Sequence, residues 1–112
     1  YPTLRRELDS RLYTFADLLE LDEYELLSLI DRVRAVDRDL WPMALRSCPI
    51  LLRDTVFKNM PSAMREEVEY RIETMGRRRV SQVHGAQRRI IQVAQEMTEE
   101  GVLNFGTGEK LV

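Results

Sequence analysis

The chain has 112 residues, 44% of them hydrophobic and 32% charged, which suits one soluble globular domain with a real but modest core. Its formal net charge of −2 exerts no bulk pull toward nucleic acid or an anionic membrane. No apolar run approaches the roughly 18–20 residues that span a bilayer, and no secretory signal pattern is present.

The chain opens at Tyr1 rather than Met, as expected of a piece of a longer protein. Helical periodicity runs almost throughout, with no alternating strand pattern and no Asn-Gly or Asp-Gly turn. A first helix is expected from Thr3 to Leu12, with Thr3 as its N-cap, followed by a break at "LYTF" (Leu12 to Phe15) and a brief helix over Ala16 to Glu20. Asp22 and Glu25 have capping-box spacing and open a helix to about Ala35, with Leu26, Leu27, Ile30 and Val33 on one side. Asp37 is expected to cap a short helix ending at Arg46, in which Pro42 removes a backbone bond and limits the length.

Pro49 and Pro61 suit the first turn of helices over Pro49–Asn59 and Pro61–Met75, with Gly76 ending the second. Ser81 is the expected cap of the last and longest helix, whose stripe is Val83, Ala86, Ile90, Ala94 and Met97. Gly101 stops that helix before a tail. Together these elements predict an all-α, compact bundle of about six or seven short helices with armadillo-like or orthogonal packing, ending in one longer helix. The organisation is then residues 1–14 as helix and hinge connector, 15–103 as the helical domain, and 104–112 as a flexible tail.

The Pro61–Met75 helix raises the functional question. Met64, Val68, Ile72 and Met75 share one face, and burying each is worth about 1.5–3 kcal/mol, which fixes the orientation of the helix. The opposite face carries Ala63, Glu66, Tyr70 and Glu73, with Glu69 beside them. Glu69 and Glu73 repel at i,i+4 by roughly 0.2–0.5 kcal/mol, and the pairs Arg65–Glu69 and Glu67–Arg71 return about as much. That face is either solvated or an acidic docking surface flanked by Arg77, Arg78 and Arg79. Helical spacing does not choose between the two.

Other chemistry is thinly represented. Arg77–Arg79 with Arg88 and Arg89 could hold phosphate, but the domain is slightly acidic and no aromatics interleave, which argues against nucleic acid. His84 stands alone and suits an exposed first-turn position, so no metal is expected. Cys48, the only cysteine, excludes an internal disulfide, fits a reducing cytoplasm and is expected to be a buried or half-buried structural thiol. The "GTG" at Gly106–Gly108 precedes no helix, and the carboxylates sit on solvated faces, so no cofactor and no catalytic residue are expected.

Three segments, "LYTFADLLELDEYELLSLI", "ALRSCPILLRDTVFKNM" and "GRRRVSQVHGAQRRIIQVAQEMTEEG", together resemble the C-terminal domain of the flagellar rotor switch family FliG. The correspondence covers nearly the whole chain in order, with a small insertion near Arg34 to Val36. "LRDTVFKNM" is similar to the family's L-R-[ED]-x-[IFV]-[FL]-x-N-M segment, and "LYTF" stands where the family has a Met-Phe-x-Phe hinge.

The resemblance implies a helical domain at the cytoplasmic face of the inner membrane, in the flagellar basal body. Its charged helix would face the MotA-type stator cytoplasmic loop, and the domain would do no chemistry and insert no segment into the membrane. The other implied partners are rotor-ring switch proteins and neighbouring copies of itself. Rotation about the hinge Leu12, Tyr13, Thr14 and Phe15 would re-present the charged helix and reverse direction.

Carried over position by position, the family's charged residue after "AL" is Arg46, a like-charge match, and its arginine after Gly-Pro-Val is Arg79. Its arginine after N-M-S falls on Ala63, its adjacent aspartates fall on Tyr70 and Arg71, and its Pro and Val become Arg77 and Arg78. The stator-contact candidates are therefore Arg46, Arg65, Glu66, Glu69, Arg71, Glu73, Arg77, Arg78 and Arg79. The lost charges leave open both a torque-transmitting copy and a structural rotor-ring paralogue without a torque role.

Overall fold

The computed structural model describes residues 14–104. It holds one 3-10 helix, Phe15–Glu20, and five α-helices: α1 Glu23–Val36, α2 Leu40–Leu45, α3 Ile50–Asn59, α4 Ser62–Thr74 and α5 Val80–Glu99. No strand occurs among the described residues. The expected all-α bundle of short helices closing on one longer helix is therefore the observed architecture. The helix expected over Thr3–Leu12, the hinge residues Leu12 and Tyr13, and the tail from 105 onward lie outside the described residues.

Local chemistry sets each boundary. The Asp17 carboxylate accepts from the Thr14 N–H at 2.6 Å and starts the 3-10 helix. The Asp22–Glu25 capping box forms as expected: Asp22 accepts from the Glu25 N–H at 2.8 Å, and Glu25 from the Asp22 N–H at 3.1 Å. The buried stripe of α1 is Leu26, Leu29, Ile30 and Val33. Leu27, expected among them, is 39% exposed, because the centre of the 3–4 stripe falls on Leu29 instead.

Asp37 does not cap α2. It follows α1 as an extended residue, and its carboxylate accepts from the Asp39 N–H at 2.9 Å, forming an Asx turn that delays the helix until Leu40. That delay changes the meaning of Pro42. The first α2 bond runs from the Met43 N–H to the Asp39 carbonyl at 3.1 Å, so Pro42 lies in the first turn and removes no intrahelical bond. Pro49 and Pro61 stand one position earlier than expected, as extended N-cap residues whose carbonyls accept from Arg53 and Arg65.

Ser81 is inside α5, not at its cap. Arg79 takes the cap position because Gln82 reaches back to accept from the Arg79 N–H at 3.0 Å. The stripe of α5 is buried as expected, with Val93 added. Gly101, at φ +85°, ends the helix in a Schellman motif: the Val102 N–H bonds the Met97 carbonyl at 2.9 Å and the Gly101 N–H bonds that of Thr98 at 3.0 Å.

α5 is the strut of the fold, packing against α2, α1 and the 3-10 helix, while α3 packs on α1 and the 3-10 helix. The core runs through Leu18, Leu29, Ile30, Trp41, Leu45, Leu52, Val56 and Ile90, each at most 2% exposed. Trp41 satisfies its indole N–H on the Ile30 carbonyl at 3.2 Å and meets the Phe15 ring at 6.3 Å and 47°. Beyond α5, Leu103 is buried, Arg32 forks onto Glu100 at 3.0 and 3.1 Å, and the Asn104 N–H bonds Glu25 at 2.9 Å. These contacts tie the segment after α5 along α1. Of the larger elements only α2 makes an extensive contact with α4, which leaves most of α4 facing outward.

Candidate interaction surface on the charged helix

α4 forms because Met64, Val68 and Ile72 recur at four-residue spacing and bury to 6%, 5% and 9% exposure. Met75, expected in this stripe, is only half-buried. Arg65 lies over the Phe57 ring at 5.4 Å, a cation–π contact that pins the start of α4 on α3, while Arg53 approaches the same ring from within α3 at 5.5 Å. Gly76, at φ +70°, then turns the chain out of the helix.

The side chains of α4 sort into three groups by angle. On one flank Arg65 pairs with Glu69 at 2.7 Å. On the other flank Glu67 is a hub: Arg38 meets it at 2.9 Å, Arg34 at 3.4 Å and Arg71, one turn along, at 3.5 Å. Arg71 also pairs with Asp39 in the α1–α2 turn. The third group faces away from the bundle. Ala63, Glu66, Tyr70 and Glu73 are all exposed, Tyr70 to 66%, and neither Glu66 nor Glu73 has an ion pair among the described residues.

The sequence-derived candidates therefore do not form one site. Glu66 and Glu73 point outward with no ion pair among the described residues, while Glu69 and Arg65 neutralise each other beside them. Arg71 faces inward and is occupied. Arg46 is half-buried, and its guanidinium donates to the Ile72 carbonyl at 3.3 Å, where a cation meets the negative end of α4. Arg77, Arg78 and Arg79 are exposed in the turn before α5. The Arg78 guanidinium donates there to the Arg77 carbonyl at 3.3 Å. No carboxylate occurs in the sequence between Gly76 and Gln95, so the stretch that follows α4 carries basic but no acidic side chains.

Of the hinge candidates, Thr14 is exposed and Phe15 is buried against Trp41. Sequence reasoning missed the network of Asp39, Arg34 and Arg38 around Glu67 and Arg71. Its partners are 29 to 33 residues apart, beyond any helical spacing rule.

Cys48 is half-buried, as expected. Its thiol donates to the Leu45 carbonyl at 3.8 Å, and burial pushes its pKa up against the opposing pull of Arg53. A thiol held protonated in this way is a poor nucleophile. His84 is exposed. No group of three or more His, Cys, Asp or Glu side chains could hold a metal among the described residues.

The family profile described as the FliG C-terminal domain matches residues 1–105. The flagellar motor switch protein FliG of Pseudomonas aeruginosa is 32% identical over 111 residues, 97% of this chain and 32% of that protein. The protein of the same name from Thermotoga maritima is 33% identical over 114 residues, 99% of this chain and 33% of its own length. The chain thus spans about a third of the curated relatives it matches. Among solved structures, a crystal structure of Helicobacter pylori FliG superposes with a TM-score of 0.77 at 26% identity, covering 85% of this chain and 40% of that one.

Proposed function

The chain belongs to the FliG C-terminal domain family, and from that premise we propose that it is a rotor and switch component of a flagellar motor. In this reading it transmits torque by charged contact with the cytoplasmic loop of a MotA-type stator and takes part in direction switching. The observation that carries the proposal is the outward stripe of α4, where Glu66 and Glu73 have no ion pair among the described residues and the exposed cations Arg77 and Arg78 follow just beyond Gly76. A helix held to its bundle mainly through α2, with its charge unspent on its own fold, suits a surface that must engage a passing partner.

Arg71 strengthens the reading. Taken by position, it reverses a family aspartate; taken by geometry, its charge is consumed by Glu67 and Asp39, and the outer face stays acidic. The site that would meet the stator is accordingly Glu66, Glu69 and Glu73 with Arg77–Arg79, and Arg46 and Arg71 hold the helix in place. The domain acts as a mechanical part and performs no reaction. It would work at the cytoplasmic face of the inner membrane, in the basal body, beside other rotor-ring proteins and copies of itself. No helix among the described residues is long and apolar enough to cross a membrane. The Phe15–Trp41 contact ties the described part of the hinge to the core, so a hinge rotation would have to repack this pair or pivot before it.

A second reading, a structural ring paralogue without a torque role, is favoured by the uncharged Ala63 and Tyr70 on the same stripe. Reversing Glu66, Glu69 and Glu73 to Lys in the full-length protein separates the two when assembly and swimming are scored independently. Filaments that form but do not turn support stator contact. Normal swimming refutes it.

A further inference from the structure

The charges of the domain are sorted along its longest helix. Between Thr14 and Asp31 the sequence holds six carboxylates and no Lys or Arg; between Gly76 and Ala94 it holds five arginines and no carboxylate. The fold sets these two blocks at opposite ends of α5. At its C-terminal end Glu100 is forked by Arg32, and the chain then runs back along α1 until the Asn104 N–H reaches Glu25. The acidic start of α1 therefore lies at that end, while Arg77–Arg79 lead into the other. With 20 residues at 1.5 Å each, α5 separates the two by about 30 Å. Neither block serves the helix it flanks. The first turn of α5, the positive end of its dipole, has no acidic residue and follows three arginines; its last turn has no basic residue and carries Glu96 and Glu99. Glu20, Glu23, Arg78 and Arg88 are exposed and have no ion pair among the described residues. Each end also exposes an apolar side chain amid its charges, Tyr24 to 86% and Val80 to 68%.

We infer that the acidic end, formed by Glu20, Glu23 and Tyr24, docks on the basic end, formed by Arg78, Val80 and Arg88, of a second copy of this chain. The two ends are opposite in charge, and each brings an apolar side chain for the contact to cover. They cannot meet within one chain, because α5 holds them apart, and a pair built on one end twice would set like charges together. A docked pair still presents one end of each sign, so the contact is head-to-tail and either closes into a ring or runs on as a filament. Nucleic acid or an anionic membrane would satisfy the basic end and leave the acidic end without a role. The inference does not rest on the partner proposed for α4, since Glu20, Glu23, Tyr24 and Arg88 belong to other elements.

The test uses the full-length protein carrying Tyr24→Cys and Val80→Cys, joined by a short thiol cross-linker. The doubly substituted chain should give a ladder of dimers, trimers and longer products. Either substitution alone should give nothing above the unsubstituted protein, and a mixture of the two single variants should stop at the dimer. Both positions are exposed, so the fold does not depend on them. Glu20→Lys with Glu23→Lys should remove most of the ladder, as should Arg78→Glu with Arg88→Glu, and all four changes in one chain should restore it. At about 1 M salt, where the Debye length is near 3 Å, the ladder should shorten. No ladder from the double variant, a ladder that stops at the dimer, dimers from a single cysteine, or no rescue by the fourfold reversal overturns the inference. A ladder that survives reversal of Glu20 and Glu23 overturns it too, and assigns the basic end to an anionic partner of another kind. None of these changes touches Glu66, Glu69 or Glu73, so the swimming of that reversed variant judges the stator reading separately.

Discussion

Replacing Arg71 with Ala tests the step on which the functional reading turns, that this arginine is an internal brace and not part of the outward face. Its guanidinium meets Glu67 at 3.5 Å and also pairs with Asp39, and its side chain is 38% exposed, against 30% for Glu67 and 70% for Asp39. Exposed pairs of this kind are worth about 0.2–1 kcal/mol each. Loss of both should therefore cost about 0.5–1.5 kcal/mol, while the change in helix propensity from Arg to Ala is smaller and of opposite sign. In a domain near this size, that is a fall in Tm of roughly 2–8 °C. Glu67 keeps Arg38 and Arg34, so most of the deficit should trace to the Asp39 contact. A thermal double-mutant cycle of Arg71→Ala with Asp39→Ala measures that coupling. At about 1 M salt, where the Debye length is near 3 Å, the difference between wild type and variant should shrink. An unchanged Tm with no coupling to Asp39 would refute the brace. Arg71 would then be free to swing outward, and the outer face would lose its acidic excess.

Two further outcomes follow from local geometry. The Glu100 carboxyl is held below its ordinary pKa chiefly by the hydrogen bonds from Arg32, so it binds its proton more weakly folded than unfolded. The pair thus contributes stability above the unfolded carboxylate range of about 4.3 and loses it as pH falls through the folded value, so the advantage of the wild type over Glu100→Gln should be present at neutral pH and vanish in acid unfolding below roughly pH 4. Gly76→Ala places a side chain at φ +70° with nothing within 4 Å of the new Cβ, so its cost should be conformational alone, about 1–2 kcal/mol by denaturant unfolding.

The parts of the fold that rest on short-range rules were legible. The Asp22–Glu25 capping box, Gly76 and Gly101 as helix ends, and the stripes Met64–Val68–Ile72 and Val83–Ala86–Ile90 depend on partners within a few turns, and each is where spacing put it. The errors have the same origin read in reverse. Asp37 has the chemistry of a helix cap and of an Asx turn, and the neighbouring Asp39 N–H decided between them. Ser81 was displaced as a cap by a glutamine able to close on a backbone N–H three residues earlier. Leu27 and Leu29 are equally apolar, and only the position of the partner helices settles which one is buried.

The candidate site was legible as a face but not as a set of charges, because neighbouring residues on a helix point about 100° apart. By the sequence resemblance Tyr70 and Arg71 would stand where the family has two adjacent aspartates, and a tally along the sequence counts one charge lost and one reversed. In the fold the two positions serve different surfaces, Tyr70 outward and Arg71 against the α1–α2 turn. Restoring each aspartate separately should expose that division. Tyr70→Asp adds a charge to an exposed site and should stay within about 0.5 kcal/mol of the wild type. Arg71→Asp sets a third carboxylate against Glu67 and Asp39, so it loses both pairs and adds repulsion, a cost of about 1–2 kcal/mol. Adding Asp39→Arg to Arg71→Asp rebuilds the cross-link with its polarity exchanged and should recover a good part of that loss. Equal tolerance of the two aspartates, measured by thermal unfolding, would mean that both positions face solvent and that the charge reversal at Arg71 belongs to the docking surface after all.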